Sequence, residues 1–311
     1  MAQQQTKIVV LGGINMDLVT YSPRFPQSGE TVVGSSFITY AGGKGANQAV
    51  AVAQMGADSK MVGRVGGDMF GPQLLEGMTA AGVDVSGVGT NQEVSSGIAV
   101  IGVDDTAQNC ITQVLGANDT CGPAEAQAVK NALSGASFLL LQLEVSIQLS
   151  LEVAQAAKAQ GVEVMLDPGP VRPVPDESFA LCDVITPNET EAQALVGFPV
   201  TDEESAAQAA SQLLERGVGL VVVKLGAQGA YYANSEERGM VRPFDIEAVD
   251  SVAAGDAFNG ALAVSLAEGA ALERAVTFAS AAGALAVTQS GAQDSMPRRA
   301  QVEALVRDQR P

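Results

Sequence analysis

The sequence predicts an α/β protein, a three-layer sandwich in which a mostly parallel central sheet lies between layers of helices. Short β-branched segments bounded by turn residues alternate along the chain with alanine-rich segments of helical spacing. This alternation is typical of a parallel sheet, because each crossover between parallel strands has room for a helix. No internal repeat, low-complexity tract or long linker interrupts the 311 residues. We therefore expect residues 1–311 to form one domain.

The elements of the central sandwich can be placed from these two patterns. The strand pattern occurs at Ile8–Leu11, Ser59–Val62, Val162–Leu166, Val184–Thr186 and Leu220–Lys224. The helical pattern occurs at Asn47–Met55, Ser146–Ala159, Ser205–Arg216, Ala257–Leu266 and Ala271–Val287. Strands and helices alternate over most of this order, as the sandwich requires.

Two regions do not fit the alternation, because strand-like segments follow one another there with no helix between them. These segments are Val32–Tyr40, Gly97–Val103 and Asn109–Leu115. Their alternating or hairpin-like pattern is typical of a small separate sheet. We expect this sheet to lie over the main one as a discontinuous lid, contributed by residues 14–40 and 97–115.

The charge and the apolar segments exclude several classes of partner. The chain has 35 acidic and 17 basic residues, a formal net charge of −18, and no Lys/Arg run longer than a pair. Nucleic acid binding needs a basic surface, so we expect no nucleic acid partner. Apolar stretches such as 138–143 are too short to span a bilayer, and no signal-peptide pattern opens the chain. We expect no membrane partner and a cytoplasmic location.

Histidine is absent from the chain, and its absence excludes several kinds of catalysis. Ser-His-Asp and Cys-His nucleophile pairs, imidazole bases and histidine-ligated zinc are all ruled out. The three widely spaced cysteines form neither a disulfide framework nor a C-x-x-C metal site. Phosphoryl transfer suits the remaining groups, because it depends on positioning and electrostatics more than on covalent chemistry. Neither G-x-x-x-x-G-K-[ST] nor G-x-G-x-x-G occurs, however.

A different kind of anion site is indicated where small residues lead into an apolar helix. Ala253, Ala254 and Gly255 precede the helix predicted from Ala257, and Asp256 lies in its first turn. Small residues leave the first N–H groups of a helix accessible, and the positive end of the helix dipole adds to their attraction for anions. Taken alone, Asp256 would be interpreted as an ordinary N-terminal helix acid or an N-cap.

Five motifs relate the chain to a known family. The segment AAGDAFNGA, which contains Asp256, resembles the C-terminal signature of the ribokinase family of carbohydrate kinases (PfkB type). The other four resemble the family's N-x-D motif, glycine-rich sugar turn, N-x-x-E motif and nucleotide loop, at Gly12–Asp17, Gly42–Ala49, Thr186–Glu191 and Lys224–Gly229. The motifs occur in family order, and the resemblance extends from Ile8 to Pro297. It implies a ribokinase-like fold and ATP-dependent phosphorylation of a sugar hydroxyl.

The resemblance assigns the catalytic roles to one loop. Asp256 would take the proton from the sugar hydroxyl, and the backbone amides of Ala254, Gly255 and Asp256 would stabilise the phosphoryl group during in-line transfer from MgATP. A catalytically silent sugar-binding module would be expected to lack this aspartate. The other alternative is a kinase of the same fold for another small molecule, such as deoxyribose, fructose, ketodeoxygluconate or adenosine.

The resemblance also implies a sugar site formed by Asn15, Asp17, Gly43, Lys44, Asn47, Glu144 and Asp256. Asn15 and Asp17 follow the first strand, at the edge where α/β sheets bind ligands, and a carboxylate with an amide suits vicinal hydroxyls. Without the resemblance, an Asx turn would explain this pair, and Glu144 could be a solvated surface acid. The N-x-D motif, the GGKGAN turn and Glu144 favour ribose as the sugar.

The implied nucleotide site comprises Asn188, Glu191, Lys224, Leu225, Gly226, Ala227, Gln228, Gly229, Gly255, Asp256 and Ser280. Glu191 would hold Mg²⁺ through water, as suits an ion that keeps several waters. Asn188 and Glu191 are also spaced as a helix capping box, and both interpretations can hold together. Lys224 and Ser280 depart from the family, in which threonine and histidine often occupy these positions.

A potassium ion and a second subunit complete what the resemblance implies. The positions matching the family's monovalent cation site are Asp250, Val252, Ala286, Gln289, Gly291 and Ser295. Most of them would supply only backbone carbonyls, whereas Asp250 would supply charge. The lid strands are apolar on one face, and an exposed apolar sheet is a site of association. We therefore expect a homodimer that pairs through the lid.

Overall fold

The computed structural model of the chain describes residues 6–106 and 108–310. The strands, β1 to β13, are Lys7–Leu11, Asn15–Ser22, Ser36–Gly42, Asp58–Gly66, Val83–Asn91, Gly97–Asp104, Asn109–Val114, Phe138–Leu141, Glu163–Leu166, Val184–Ile185, Leu220–Lys224, Ala230–Ala233 and Arg238–Val241. The helices, α1 to α9, are Lys44–Gln54, Phe70–Ala80, Pro123–Ala132, Ile147–Ala159, Glu189–Val196, Glu203–Glu215, Ala254–Ala267, Leu272–Ala286 and Arg299–Gln309.

Nine strands form the central sheet, in the order β13-β12-β11-β10-β9-β8-β1-β4-β5. Every pair from β11 to β5 is parallel, whereas β12 and β13 add an antiparallel edge. The predicted fold class is therefore confirmed. Four-residue β12 and β13 were not predicted, since they are too short for a periodic pattern to appear.

The core lies on both faces of this sheet, which explains why the central strands are apolar throughout. In β1, Ile8 and Val10 pack against the layer that contains α1, α2, α7, α8 and α9. Val9 and Leu11 point the other way, into the layer formed by α3 to α6. All four side chains are fully buried, and burying a side chain of this size is worth about 1.5–3 kcal/mol. This packing fixes the carboxyl ends of the strands, where the polar motif residues lie.

The second sheet has four strands in the order β3-β2-β6-β7, with β2 and β6 parallel at its centre. The predicted strand Val32–Tyr40 was wrong at its start, because β3 begins at Ser36 and continues to Gly42. The register pairs Tyr21 of β2 with Ser36, and β2 ends one residue later. The Ser35 N–H still donates to the Tyr21 carbonyl at 2.8 Å, and β3 starts directly after it. At its other end β3 extends to Gly42, two residues past the predicted lid limit at about residue 40.

Two helices begin a few residues earlier than the sequence prediction places them. Helix α1 was predicted from Asn47 but begins at Lys44, directly after Gly43, whose φ of 90° ends β3 and starts the helix. Helix α7 likewise begins at Ala254, three residues before the predicted start. Within the described ranges, no helix combines the length and apolar character needed to cross a bilayer.

Candidate active site

The motif residues meet at the carboxyl edge of the central sheet, where loops following the parallel strands converge. Asn15 and Asp17 open β2 just after β1, Glu144 follows β8, and Lys224 ends β11. Asp256 approaches from the first turn of α7. Residues up to 241 positions apart in the sequence are thus gathered at one edge, as the five motifs predict.

Glu144 is the centre of the candidate sugar pocket. Its side chain is only 4% exposed, so the alternative of a solvated surface acid is wrong. Its carboxylate accepts hydrogen bonds from Asn15 Nδ2 at 3.1 Å, Gln113 Nε2 at 2.7 Å and the Lys44 N–H at 2.7 Å. Asn118 Nδ2 in turn donates to Asn15 Oδ1 at 2.7 Å. A buried carboxylate with three donors is well compensated, and it holds Asn15 in one orientation.

Asp17 lies in β2 beside this pocket and makes no side-chain hydrogen bond among the described residues, so it does not form an Asx turn. Its carboxylate approaches Gly42, where an added Cβ would lie 2.4 Å from Oδ2. Burial, followed by the charges of Glu144 and Asp256, raises the pKa of Asp17 to about 7. Its carboxylate oxygens are free to accept hydrogen bonds from a ligand.

We expect Asp17→Asn to stabilise the protein at pH 8, with the gain shrinking as the pH falls from 7 towards 4. A raised carboxyl pKa means that ionisation opposes folding, so the penalty is complete above the folded-state pKa and absent below the unfolded value. The same substitution should weaken sugar binding, since the amide nitrogen cannot accept a hydroxyl. Thermal midpoints across this pH range provide the measurement. A midpoint difference that does not change with pH would contradict the expectation.

Asp256 is 4% exposed and is held by two amides from α1. Asn47 Nδ2 donates to its Oδ2 at 2.9 Å, and Gln48 Nε2 donates to its Oδ1 at 3.0 Å. Burial raises the pKa of Asp256 to about 6; the Lys44 ammonium opposes this rise, whereas the Asp167 carboxylate adds to it. A base with this pKa is ionised at neutral pH and accepts a proton more readily than an ordinary aspartate. The Asn47 Oδ1 atom is buried with no hydrogen-bond partner within residues 6–106 and 108–310, and it can accept a hydrogen bond from a ligand hydroxyl.

The loop before α7 has an unusual backbone conformation. Ala253 is the N-cap and adopts φ 58°, the one positive φ at a non-glycine residue in the described ranges. This left-handed conformation costs an alanine about 1–2 kcal/mol and is typical of functional loops. The Gly255 N–H has no hydrogen-bond partner among the described residues. Of the three amides named for the phosphoryl group, the Asp256 N–H donates to the Ala253 carbonyl at 3.0 Å and the Ala254 N–H has a weak 3.5 Å contact to the Ser251 carbonyl, so the Gly255 N–H is the least committed.

The predicted nucleotide residues lie beside this loop. Asn188 and Glu191 form the capping box of α5: Glu191 N–H donates to Asn188 Oδ1 at 2.8 Å, and Asn188 N–H donates to Glu191 Oε2 at 2.9 Å. A backbone bridge joins Asn188 to Lys224, which brings the second motif to the first. Of the loop that follows, Gly226, Ala227 and Gln228 are exposed. The Leu225 side chain is 1% exposed in the core, so only its backbone can face a nucleotide.

The remaining predicted positions lie around the start of α7. Helix α8 packs closely on the start of α7: a Cβ added at Gly283, one turn after Ser280, would lie 3.1 Å from the Ala254 carbonyl oxygen. The Ser280 hydroxyl is buried and has no hydrogen-bond partner among the described residues. Asp250 accepts hydrogen bonds from the Val252 N–H at 3.0 Å and the Gly291 N–H at 3.1 Å. These two bonds bring the segments proposed for the monovalent cation together.

Comparison with known proteins identifies the family. The family model described as pfkB family carbohydrate kinase matches residues 5–299. The chain belongs to the pfkB family of carbohydrate kinases. It is 37% identical to a ribokinase of Haemophilus influenzae, over 94% of this chain and 95% of that protein. It is 40% identical to a ribokinase of Schizosaccharomyces pombe, over 95% and 96% of the two chains.

Solved structures of pfkB relatives match the fold over nearly the whole chain. The Arabidopsis thaliana ribokinase complexed with ribose and ATP superposes with a TM-score of 0.90 at 35% identity, covering 97% of this chain and 99% of that one. The Thermotoga maritima ribokinase gives a TM-score of 0.88 at 38% identity, covering 98% of this chain and all of that one. The nine-stranded sheet with its smaller lid sheet is therefore the architecture of this family.

The pfkB motifs do not include every residue that the structure places in the site. Gln48 lies within the glycine-rich motif but had no predicted role, although it bonds Asp256. Asp167 lies outside all five motifs. It is 1% exposed and accepts hydrogen bonds from Lys44 Nζ at 3.0 Å, Gln48 Nε2 at 3.1 Å and Lys224 Nζ at 3.2 Å. Its position directly after β9 was the one feature of the sequence that could have indicated a place in the site.

Proposed function

We propose that this chain phosphorylates D-ribose at the 5-hydroxyl with MgATP. One observation carries the proposal: the first turn of α1 joins two buried carboxylates, because the Lys44 N–H donates to Glu144 and the Asn47 side chain donates to Asp256. Groups that can bind hydroxyls therefore lie beside Asp256, a base of raised pKa. The relatives named ribokinase, one of them complexed with ribose and ATP, support ribose as the sugar. A deoxyribokinase of Salmonella typhi at 35% identity makes deoxyribose the nearest competing substrate.

The residues of the site divide the reaction between them. Asn15, Asp17 and Glu144 orient the ring hydroxyls, while Asn47 holds Asp256 close to the 5-hydroxyl. Asp256 accepts the proton of that hydroxyl as its oxygen attacks the terminal phosphoryl group. The free Gly255 N–H at the positive end of α7 stabilises the charge on the transferring group.

Formation of ADP from MgATP in the presence of each candidate substrate tests the reaction and the substrate together. A coupled ADP assay should be run with MgATP across ribose, deoxyribose, fructose, ketodeoxygluconate and adenosine. Turnover highest with ribose is expected. Faster turnover with another substrate would keep the kinase and change the sugar, and silence across the panel with ribose still bound would favour a sugar-binding module.

The residues present fit a magnesium ion held through water. Glu191 has one oxygen committed to the Asn188 N–H, and its other oxygen lies 3.9 Å from Lys44 Nζ. In the described ranges, no three acidic, cysteine or histidine side chains cluster to form a direct metal site. One carboxylate acting through water suits Mg²⁺ bound mainly to nucleotide phosphates. The ion supplies charge neutralisation to the phosphates when bound.

We expect potassium to raise kcat above the value in sodium or in tetramethylammonium. The segments at Asp250 and Gly291 are joined by a hydrogen bond, and they lie beside the loop that begins α7. A cation held there would stabilise the loop carbonyls and leave the anion site preformed. Asp250→Asn should abolish the difference between the cations, whereas Asp245→Asn serves as a surface control. Equal kcat in all three cations would contradict the expectation.

The lid is proposed to pair with a second copy of the chain in a cytoplasmic homodimer. Several lid side chains are exposed although they are large and apolar, namely Phe37, Ile38, Val100 and Ile111. An exposed apolar sheet of this kind favours association. Sizing the particle in solution tests this proposal, and a monomer at micromolar concentration would count against it.

A further inference from the structure

Asp167 is a buried carboxylate to which the proposed reaction assigns no role. It follows β9 and bonds two lysines that reach it from different elements, Lys44 from the start of α1 and Lys224 from the end of β11. Burial raises the pKa of Asp167, but the ammonium groups of Lys224 and Lys44 lower it more, so the carboxylate stays ionised. Asp167 is therefore an ionised carboxylate bonded to two ammonium groups.

Lys224 places its ammonium at the anion site. A Cβ added to Gly255 would lie 3.2 Å from Lys224 Nζ, so this group stands over the first turn of α7, beside the free Gly255 N–H. The Lys224 backbone is fixed by an N–H bond to the Pro187 carbonyl at 2.8 Å and by the bridge to Asn188. The side chain is 13% exposed. An anion bound at the Gly255 N–H would therefore meet this ammonium.

A lysine side chain has four rotatable bonds, and holding it in one place costs conformational entropy. Asp167 Oδ1 accepts a hydrogen bond from Lys224 Nζ at 3.2 Å and thereby fixes the ammonium before a ligand arrives. The Lys44 ammonium has a second carboxylate nearby, Glu191 Oε1 at 3.9 Å, whereas Asp167 is the one carboxylate within 4 Å of the Lys224 ammonium among the described residues. Asp167 is thus needed more for the position of Lys224 than for that of Lys44.

We propose that Lys224 contacts the phosphoryl group that is transferred, and that Asp167 is a positioning residue that holds Lys224 at the start of α7. The proposal rests on the proposed kinase function and deepens it. Lys224 adds charge stabilisation to the amide of Gly255. Asp167 acts through Lys224 and does not touch the substrate.

Nucleotide binding without turnover tests the contact of Lys224. We expect Lys224→Met to weaken the binding of the magnesium complex of AMP-PNP about tenfold, the usual effect of losing one charge-assisted hydrogen bond. Binding of MgADP, which lacks the transferred group, should stay within about twofold. Equal weakening of both nucleotides, or of neither, would overturn the proposal. Lys60→Met is the matched control, because Lys60 pairs with Asp84 at the opposite end of the sheet.

Kinetics of Asp167→Asn, Lys224→Met and the double variant test the positioning role. Asp167→Asn should lower kcat roughly 10- to 100-fold through misplacement of Lys224. Asp167→Asn should not raise the KM for ATP, because removing the Asp167 charge leaves the surroundings of Lys44 and Lys224 more positive and so more attractive to the nucleotide phosphates. The double variant should lose at least about tenfold less than the product of the two single losses, since both changes remove the same contact.

Two results would overturn the positioning role: kcat of Asp167→Asn within twofold of the unaltered chain, or single losses that multiply in the double variant. Thermal midpoints and ribose binding check the fold of each variant. Should Asp167→Asn fail to fold, Lys224→Met still tests the contact with the transferred phosphoryl group, because this variant leaves Asp167 paired with Lys44. An unaltered chain that does not turn over ribose would refute the proposed function, whereas the AMP-PNP comparison would still test Lys224.

Discussion

Replacing Asp256 by asparagine is expected to lower kcat about 10²- to 10⁴-fold, the usual contribution of a positioned general base. Asparagine keeps the shape of the side chain, and its oxygen can still accept one of the two hydrogen bonds from Asn47 and Gln48. Ribose affinity should therefore change by less than about threefold, since Asn15 and Glu144 still bind the ring. Rapid-quench or steady-state kinetics with ribose binding by calorimetry measures both quantities.

The control for this substitution is Asp183→Asn, at the amino end of β10 and far from the site. It should leave kcat within twofold of the unaltered chain. The pH profile gives a second check, because kcat/KM should fall below a pH of about 6 when Asp256 becomes protonated. Turnover retained by Asp256→Asn would remove Asp256 from the role of base.

Glu144→Gln is expected to raise the KM for ribose roughly 10- to 100-fold while kcat falls much less, because a site that loses a charged hydrogen-bonding group loses mostly binding. The carboxylate accepts bonds from Asn15, Gln113 and the Lys44 N–H. Asn15 and Gln113 donate to Oε1 and the Lys44 N–H donates to Oε2, so a glutamine must turn its NH₂ group towards one of these two sets of donors and the pocket loses at least one hydrogen bond. Steady-state kinetics with varied ribose measures the split.

Glu152→Gln is the matched control, since Glu152 lies on the exposed face of α4 and, in the part of the chain that the structure describes, pairs only with Lys130. It should change neither kinetic constant. A KM for Glu144→Gln equal to that of the unaltered chain would mean that Glu144 supports the fold and does not shape the sugar pocket. The two substitutions together thus separate binding from chemistry: Glu144 affects KM, and Asp256 affects kcat.

The sequence predicted the parts of the fold that local patterns encode. The parallel strands β1, β9 and β11 were recognisable because strands buried on both faces contain short runs of consecutive apolar residues. The start of β3 was not, since it depends on where β2 ends and not on the residues of β3. Strand ends that are set by a partner strand leave no local signal.

The candidate site likewise contains residues that the sequence predicted and residues that only the structure reveals. Asp256, Asn47 and Glu191 lie in motifs with fixed spacing, so the sequence alone brought them into consideration. Asp167 lies in no recognised motif, and its two lysines are 123 and 57 positions away. Its role becomes visible only when β9, α1 and β11 meet at one edge of the sheet. Contacts between distant segments of this kind are set by the packing of the whole domain.

The most direct test of the proposed reaction is the identity of its products. Phosphorus NMR of a reaction containing the protein, MgATP and ribose should show ADP and a phosphate ester on the primary 5-hydroxyl of the sugar. Asp256→Asn, examined in parallel, should form the same ester far more slowly. A phosphate on the anomeric oxygen, or inorganic phosphate with unmodified ribose, would contradict the assignment of Asp256 and of the sugar pocket around Glu144.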